Sequence, residues 1–294
     1  MKKALFTGSG VALVTPFTKD GVDFDTLDKL IDFHLAQGTA AIIACGTTGE
    51  PSTMTKQEQQ DVIRFSIEKV KGKIPVIAGT GGNNTQEVIE MGKWAKDQGA
   101  DGQLCVTPYY NKTTQKGLIA HYTAIADSTQ LPLIMYNVPA RTGLNMLPET
   151  VATLAEHDNI VGLKEAGGDL NQIIQTLALA KGKIAFYSGS DEVLFPLLTM
   201  GYDGVISVIA NVAPKEMQFL ATSVAQGKSE EGLQAQFAMN PLIYALFAET
   251  SPAPVKEALE MMGYGNGFCR LPLVPLEEKN RTYLQQEMEK YGLL

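Results

Sequence analysis

Short, continuously apolar runs recur through the first two thirds of the chain, at residues 10–14, 40–45, 75–78, 102–106, 132–136, 160–164, 184–187 and 204–209. They lie about 30 residues apart, the length of one βα unit. Continuous rather than alternating apolarity predicts strands covered on both faces, as in a parallel sheet. Helical spacing fills the gaps. Phe24, Leu27, Leu30, Ile31 and Leu35 fall on one helical face, as do Val88, Met91 and Ala95. Gly38, Gly72 and Gly99 each follow such a stretch, where a helix C-cap belongs.

Eight such units predict an α/β fold, a closed (β/α)8 TIM barrel, which takes about 250 residues. An open doubly wound sheet is the rival. It wants Gly-x-Gly-x-x-Gly after an early strand, and Gly79-Thr80-Gly81-Gly82-Asn83-Asn84 lacks that spacing. Helical patterns at residues 212–224, 230–247, 254–262 and 277–291 exceed what closing a barrel needs. They predict a C-terminal helical extension, with the barrel over residues 1–225 and the extension over 226–294. Met1-Lys2-Lys3 and the apolar residues after it imitate a secretory signal. Thr7-Gly8-Ser9-Gly10 interrupts the run, which reads instead as the approach to a first strand spanning residues 10–15.

Composition narrows the function. Of 294 residues, 45% are hydrophobic and 19% charged, which suits one large core and excludes disorder. Lys and Arg number 24 against 32 Asp and Glu, a net charge of −8, so nucleic acid is a poor partner. No apolar stretch reaches the roughly 18 residues of a membrane span. Cys45, Cys105 and Cys269 are odd in number and far apart, which suggests no disulfide framework and fits a reducing cytoplasm.

In such barrels the chemistry sits where strands end. Those positions carry Gly46-Thr47-Thr48-Gly49-Glu50, Thr107-Pro108-Tyr109-Tyr110-Asn111, a stretch from Tyr136 to Gly143, Lys164-Glu165 and Ser188-Gly189-Ser190-Asp191. The three histidines, His34, His121 and His157, all fall in predicted helices, and no cysteine pair has ligand spacing, so no metal is expected. Asp191 and Glu192 would repel a phosphate from the seventh loop.

Lys164 remains. If it points into the barrel, desolvation lowers its pKa, and a neutral amine condenses with carbonyls. Otherwise it snorkels to solvent or pairs with Glu165. Lys73 and Lys183 precede their strands, at the inert end. Tyr136 ends the neighbouring strand and could shuttle protons, helped by Thr47 or Thr48 and by Tyr109 or Tyr110, or else it is simply a core aromatic. Arg141 could grip a carboxylate with its planar fork, or sit on the surface. Backbone N–H groups around Thr47-Thr48 could hold the carboxylate of an α-keto acid.

Gly46-Thr47-Thr48-Gly49-Glu50, Tyr136-Asn137-Val138-Pro139-x-Arg141-Thr142-Gly143 and Gly162-Leu163-Lys164-Glu165 together resemble the dihydrodipicolinate synthases. These belong to the pyruvate-dependent class I aldolase group that includes N-acetylneuraminate lyase. The likeness runs over nearly the whole chain. It implies a lyase in which Lys164 forms an imine with pyruvate and no other cofactor is needed. Tyr136, Thr47 and Tyr110 would relay protons, Tyr110 from a neighbouring subunit. Thr48 would hold the pyruvate carboxylate, and Arg141 that of L-aspartate-4-semialdehyde. Gly189 and Ile206 would line the site through their backbone. A cytoplasmic homotetramer, a dimer of dimers, serving lysine and diaminopimelate biosynthesis is also implied. Asn83, Glu87 and Tyr109 resemble lysine-effector contacts. Lys56 and Gln59 stand where lysine-inhibited members carry histidines, which points to weak or absent feedback. Two other readings fit the same residues. One is a lyase for sialic acid or a 2-keto-3-deoxy sugar acid using the same imine. The other is a non-catalytic barrel that senses an amino acid.

Overall fold

The structure is a computed structural model that describes residues 2–294, so Met1 of the basic N-terminal run lies outside the described residues. Eight strands run parallel: β1 (Gly8–Ala12), β2 (Ala41–Ala44), β3 (Val76–Gly79), β4 (Gly102–Val106), β5 (Leu133–Asn137), β6 (Ile160–Glu165), β7 (Ala185–Ser188) and β8 (Gly204–Ser207). Each pairs with its sequence neighbours, and β1 pairs with both β2 and β8, which closes the barrel. The open-sheet rival is thereby excluded.

Each strand is followed by a helix: α1 (Phe24–Ala36), α2 (Lys56–Val70), α3 (Thr85–Asp97), α4 (Gln115–Thr129), α5 (Pro148–Leu154), α6 (Leu170–Ala180), α7 (Leu194–Thr199) and α8 (Pro214–Ser223). Three more, α9 (Ser229–Leu246), α10 (Ala253–Met261) and α11 (Glu278–Tyr291), form the C-terminal extension, and α10 and α11 pack on each other. Gly38, Gly72 and Gly99 adopt φ of +80°, +71° and +91°, the left-handed geometry of helix ends.

The alternation of side chains makes two apolar layers. Ala41, Ile43, Ile77, Leu104, Ile134, Tyr136 and Ile206 fill the barrel, while Ile42, Val76, Ala78, Met135 and Leu163 meet the helices outside. Each fully buried aliphatic side chain contributes about 1.5–3 kcal/mol. Phe6 stacks on Tyr187 inside the barrel, ring centroids 4.4 Å apart, and the Tyr187 hydroxyl donates to the Phe6 carbonyl at 2.9 Å. The Lys2 ammonium donates to the carbonyls of Ala155, His157 and Ile160 where β6 begins. The chain's start therefore occupies the end of the barrel opposite the strand termini.

Two local expectations need correction, and two further features went unmarked by the apolar pattern. β1 begins two residues earlier than the apolar run suggests, because Gly8 and Ser9 pair with Gly204 and Val205. Phe17–Thr18 and Gly21–Val22 form a small hairpin that apolarity did not mark. His157 lies in the turn after α5 rather than in a helix. Finally, the pairing of β5 with β6 slips by one residue between Leu133 and Ile134. Ile160 consequently joins the outer layer and Val161 the inner one, so Ile160 does not share the face of Gly162 and Lys164. Among the described residues, no helix is long and apolar enough to cross a membrane.

Candidate active site

The register of β5 and β6 sets Tyr136 directly opposite Lys164. Both face inward. Lys164 is 5% exposed, and its amine lies 4.3 Å from the centroid of the Tyr136 ring. Burial lowers its pKa to about 8, with Asp191 raising it and Arg141 lowering it by their charges. Glu165 is no partner for this amine. It points to the other face, where it accepts from the Asn137 amide at 3.0 Å and the Gly167 N–H at 2.5 Å. Its carboxyl pKa is raised by burial.

Gly189 lies against the Lys164 stem. A Cβ there would stand 3.0 Å from Lys164 Cε and 2.7 Å from the Ala166 Cβ. The Gly189 N–H donates to the Glu165 carbonyl at 2.7 Å, which fixes this close approach. Ile206 is fully buried in the barrel cluster that contains Tyr136.

Burial pushes the Tyr136 phenol up to about 12. The Arg141 charge and the neighbouring Thr47 side chain pull the other way. At neutral pH this side chain is an acid that keeps its proton, and it takes part in base catalysis only through partners. Arg141 stands on a one-turn helix, Pro139–Thr142, after β5. Its guanidinium donates to the Ser251 carbonyl at 3.4 Å. A cavity of about 270 Å³ opens here, lined by Thr47, Tyr109, Val138 and Arg141 among others.

Thr47 and Thr48 form one 3-10 turn, Thr47–Gly49, with Thr47 exposed and Thr48 buried. The turn is bracketed by Cys45 at φ +56° and Glu50 at φ +55°, both left-handed without being glycine.

The structure thus gathers Lys164, Tyr136, Thr47, Arg141 and Gly189 at one barrel mouth. It does not bring Tyr110 there within one chain. That side chain is 92% exposed and projects from a residue at φ +67°. Asn83, Glu87 and Tyr109 line a second cavity of about 360 Å³ together with Lys56 and Gln59. Lys56 pairs with Glu90 at 3.5 Å, and the Gln59 amide donates to the Pro51 carbonyl at 2.8 Å. Among the described residues, no three His, Cys, Asp or Glu side chains come together as a metal site.

Asp191, read from the sequence only as a charge that repels anions, also holds a structural position. It is buried just after β7, and one carboxylate oxygen accepts from the N–H groups of Val208 and Ile209 at 2.9 and 3.0 Å. The other has no hydrogen-bond partner among the described residues. Burial raises its pKa to about 6. An acid three residues past the end of β7, at the barrel mouth, was the available signal.

The model of the dihydrodipicolinate synthetase family matches residues 5–291. A 4-hydroxy-tetrahydrodipicolinate synthase from Thermoanaerobacter sp. (strain X514) is 52% identical over 291 residues, 99% of this chain and 98% of that relative. The crystal structure of dihydrodipicolinate synthase from Thermotoga maritima has a TM-score of 0.96 at 44% identity, covering 99% of this chain and 100% of that one. The chloride-inhibited dihydrodipicolinate synthase from Acinetobacter baumannii, complexed with pyruvate, has a TM-score of 0.96 at 46% identity, covering 98% and 99%.

Proposed function

The chain belongs to the dihydrodipicolinate synthetase family, and we propose that Lys164 carries that family's chemistry as a pyruvate imine. The activity is that of a 4-hydroxy-tetrahydrodipicolinate synthase, a lyase of lysine and diaminopimelate biosynthesis. Its substrates are pyruvate and L-aspartate-4-semialdehyde.

One observation supports the assignment most: a buried lysine at a strand end, its pKa lowered to about 8, lying on the ring of a tyrosine. At pH 7 about a tenth of such amines are neutral, against fewer than about one in a thousand at the usual lysine pKa. The neutral amine attacks the keto carbon of pyruvate. The carbinolamine loses water, and the resulting imine gives up a methyl proton to become an enamine. The enamine carbon attacks the aldehyde of aspartate-semialdehyde. The amino group of that substrate then attacks the imine carbon and expels Lys164, leaving the cyclic 4-hydroxy-tetrahydrodipicolinate.

Tyr136 donates and recovers the protons of these steps, with Thr47 as its partner. Tyr110 completes the relay from a second copy of the chain, in a homotetramer built as a dimer of dimers. Thr48 holds the pyruvate carboxylate, and Arg141, at the rim of the cavity, that of the aldehyde. Gly189 and Ile206 line the site through their backbone. The covalent imine takes the place of a cofactor, and the cytoplasm is the compartment. The sugar-acid lyase and the amino-acid sensor are not favoured, since relatives at about half identity over the full length are synthases.

Reduction with borohydride in the presence of pyruvate, followed by peptide mapping, tests the reading. A pyruvyl adduct on Lys164 is expected, and it disappears in Lys164→Ala. An adduct on another lysine, or none, overturns it.

A further inference from the structure

The turn that carries Thr47 and Thr48 ends in Glu50, and the Glu50 carboxylate is buried against the C-terminal extension. One oxygen accepts from the Lys256 ammonium of α10 at 2.5 Å, and the other from the Arg270 N–H at 3.1 Å. Lys256 is 4% exposed and Glu50 2%. Lys256 also donates to the Phe268 carbonyl at 2.8 Å and lies 4.3 Å from the Phe17 ring centroid. The Arg270 guanidinium stacks on the same ring at 4.3 Å. It donates to the Thr53 carbonyl at 3.0 Å and grips Glu58, in the first turn of α2, with both terminal nitrogens.

This pair is costly to bury, and apolar residues of the same shape often stabilise a fold as well or better. Its placement answers a different need. Glu50 sits at φ +55°, a conformation a non-glycine residue holds only when its surroundings impose it. Its N–H donates to the Thr47 carbonyl at 3.1 Å, and Thr15 donates to the Gly49 carbonyl at 2.8 Å. The turn is therefore gripped at its downstream end by groups drawn from the extension.

We propose that Lys256 and Arg270 are positioning residues, which lock Glu50 and thereby hold Thr47 and Thr48 in register with Tyr136 and the pyruvate carboxylate. The proposal rests on the roles given above to Thr47 and Thr48, and it gives the extension a part in turnover.

The test compares full-length Lys256→Met with the double variant Glu50→Gln/Lys256→Met. Rates are measured well below each melting temperature and per folded molecule. Lys256→Met leaves a buried carboxylate without its cation, so its Tm falls. Its kcat falls by about 10-fold or more and its KM for pyruvate rises, as a displaced catalytic group demands. The double variant removes the stranded charge and regains Tm, but kcat stays low, because the Lys256 tether on the turn is gone. A double variant with full kcat and an unchanged pyruvate KM overturns the proposal and leaves the pair a stability element. Should neither protein fold, Glu50→Gln alone serves. Its amide oxygen can still accept from the Arg270 N–H but the ion pair with Lys256 is lost, and an unchanged kcat and pyruvate KM there overturn the proposal too. Borohydride trapping on Lys164 in the unaltered protein keeps the two ideas separate. Its absence sinks the imine reading, whereas the strap fails with trapping intact.

Discussion

The Lys164 amine lies over the face of the Tyr136 ring, 4.3 Å from its centroid, on strands that pair these two residues in register. The contact is with the ring, so Tyr136→Phe keeps it and removes only the hydroxyl. That variant should still form the reducible pyruvate adduct. Its turnover should fall by roughly 10²-fold or more, the scale of a lost acid–base group. Full activity in Tyr136→Phe would remove the phenol from the mechanism.

Lys164 must be neutral to attack, and its pKa is about 8. Below that value the amine is mostly protonated, and above it mostly free. The rate of imine formation at low pyruvate should therefore rise about tenfold per pH unit below pH 8 and level off above it. A flat profile between pH 6 and 8 would show that the free amine is not limiting.

Two charges tune this limb in opposite directions. Arg141 lowers the Lys164 pKa and Asp191 raises it. Arg141→Ala should move the limb to higher pH and also raise the KM for the aldehyde. Asp191→Asn should move it to lower pH, because an anion that favoured the ammonium is gone. The amide oxygen still accepts from Val208 and Ile209, so the loop keeps its anchor. Shifts of the same sign in both variants would contradict the electrostatic account.

Gly189→Ala places a methyl 3.0 Å from Lys164 Cε and 2.7 Å from the Ala166 side chain. Gly189 does not adopt a left-handed φ, so the effect is steric alone. The lysine stem is forced off its position, and imine formation should slow by about 10-fold or more. Stopped-flow measurement of imine formation would read this directly, and an unaltered rate would mean that the stem relaxes freely.

The second cavity bears on feedback. Asn83, Glu87 and Tyr109 line it, but Lys56 adds a cation and Gln59 spends its amide on the Pro51 carbonyl. Free lysine should inhibit weakly or not at all, and Lys56→His/Gln59→His should increase its effect. Micromolar inhibition of the unaltered protein in a coupled assay would contradict this expectation.

Much of the architecture was legible because its cause is local. Apolar runs covered on both faces read directly as barrel strands, and the helices α8 to α11 fall within a few residues of their periodic patterns. That Lys164 and Tyr136 end neighbouring strands was legible from the apolar runs, whereas their shared inward orientation was not. What escaped has non-local causes. The slip at Leu133–Ile134 depends on how two strands meet, so counting by twos from Lys164 misplaces Ile160. The burial of Asp191 depends on N–H groups contributed by the turn after β8. The partner of Glu50 lies 206 residues further along the chain, and nothing in the spacing of either residue announces the other.

That last separation orders events at the ribosome. A nascent chain released only as far as β8 already contains every strand of the barrel and the reactive amine. It still lacks Lys256 and Arg270, so the turn bearing the two threonines waits unlatched. On the positioning role proposed for Lys256 and Arg270, full turnover is then among the last properties the polypeptide acquires during synthesis.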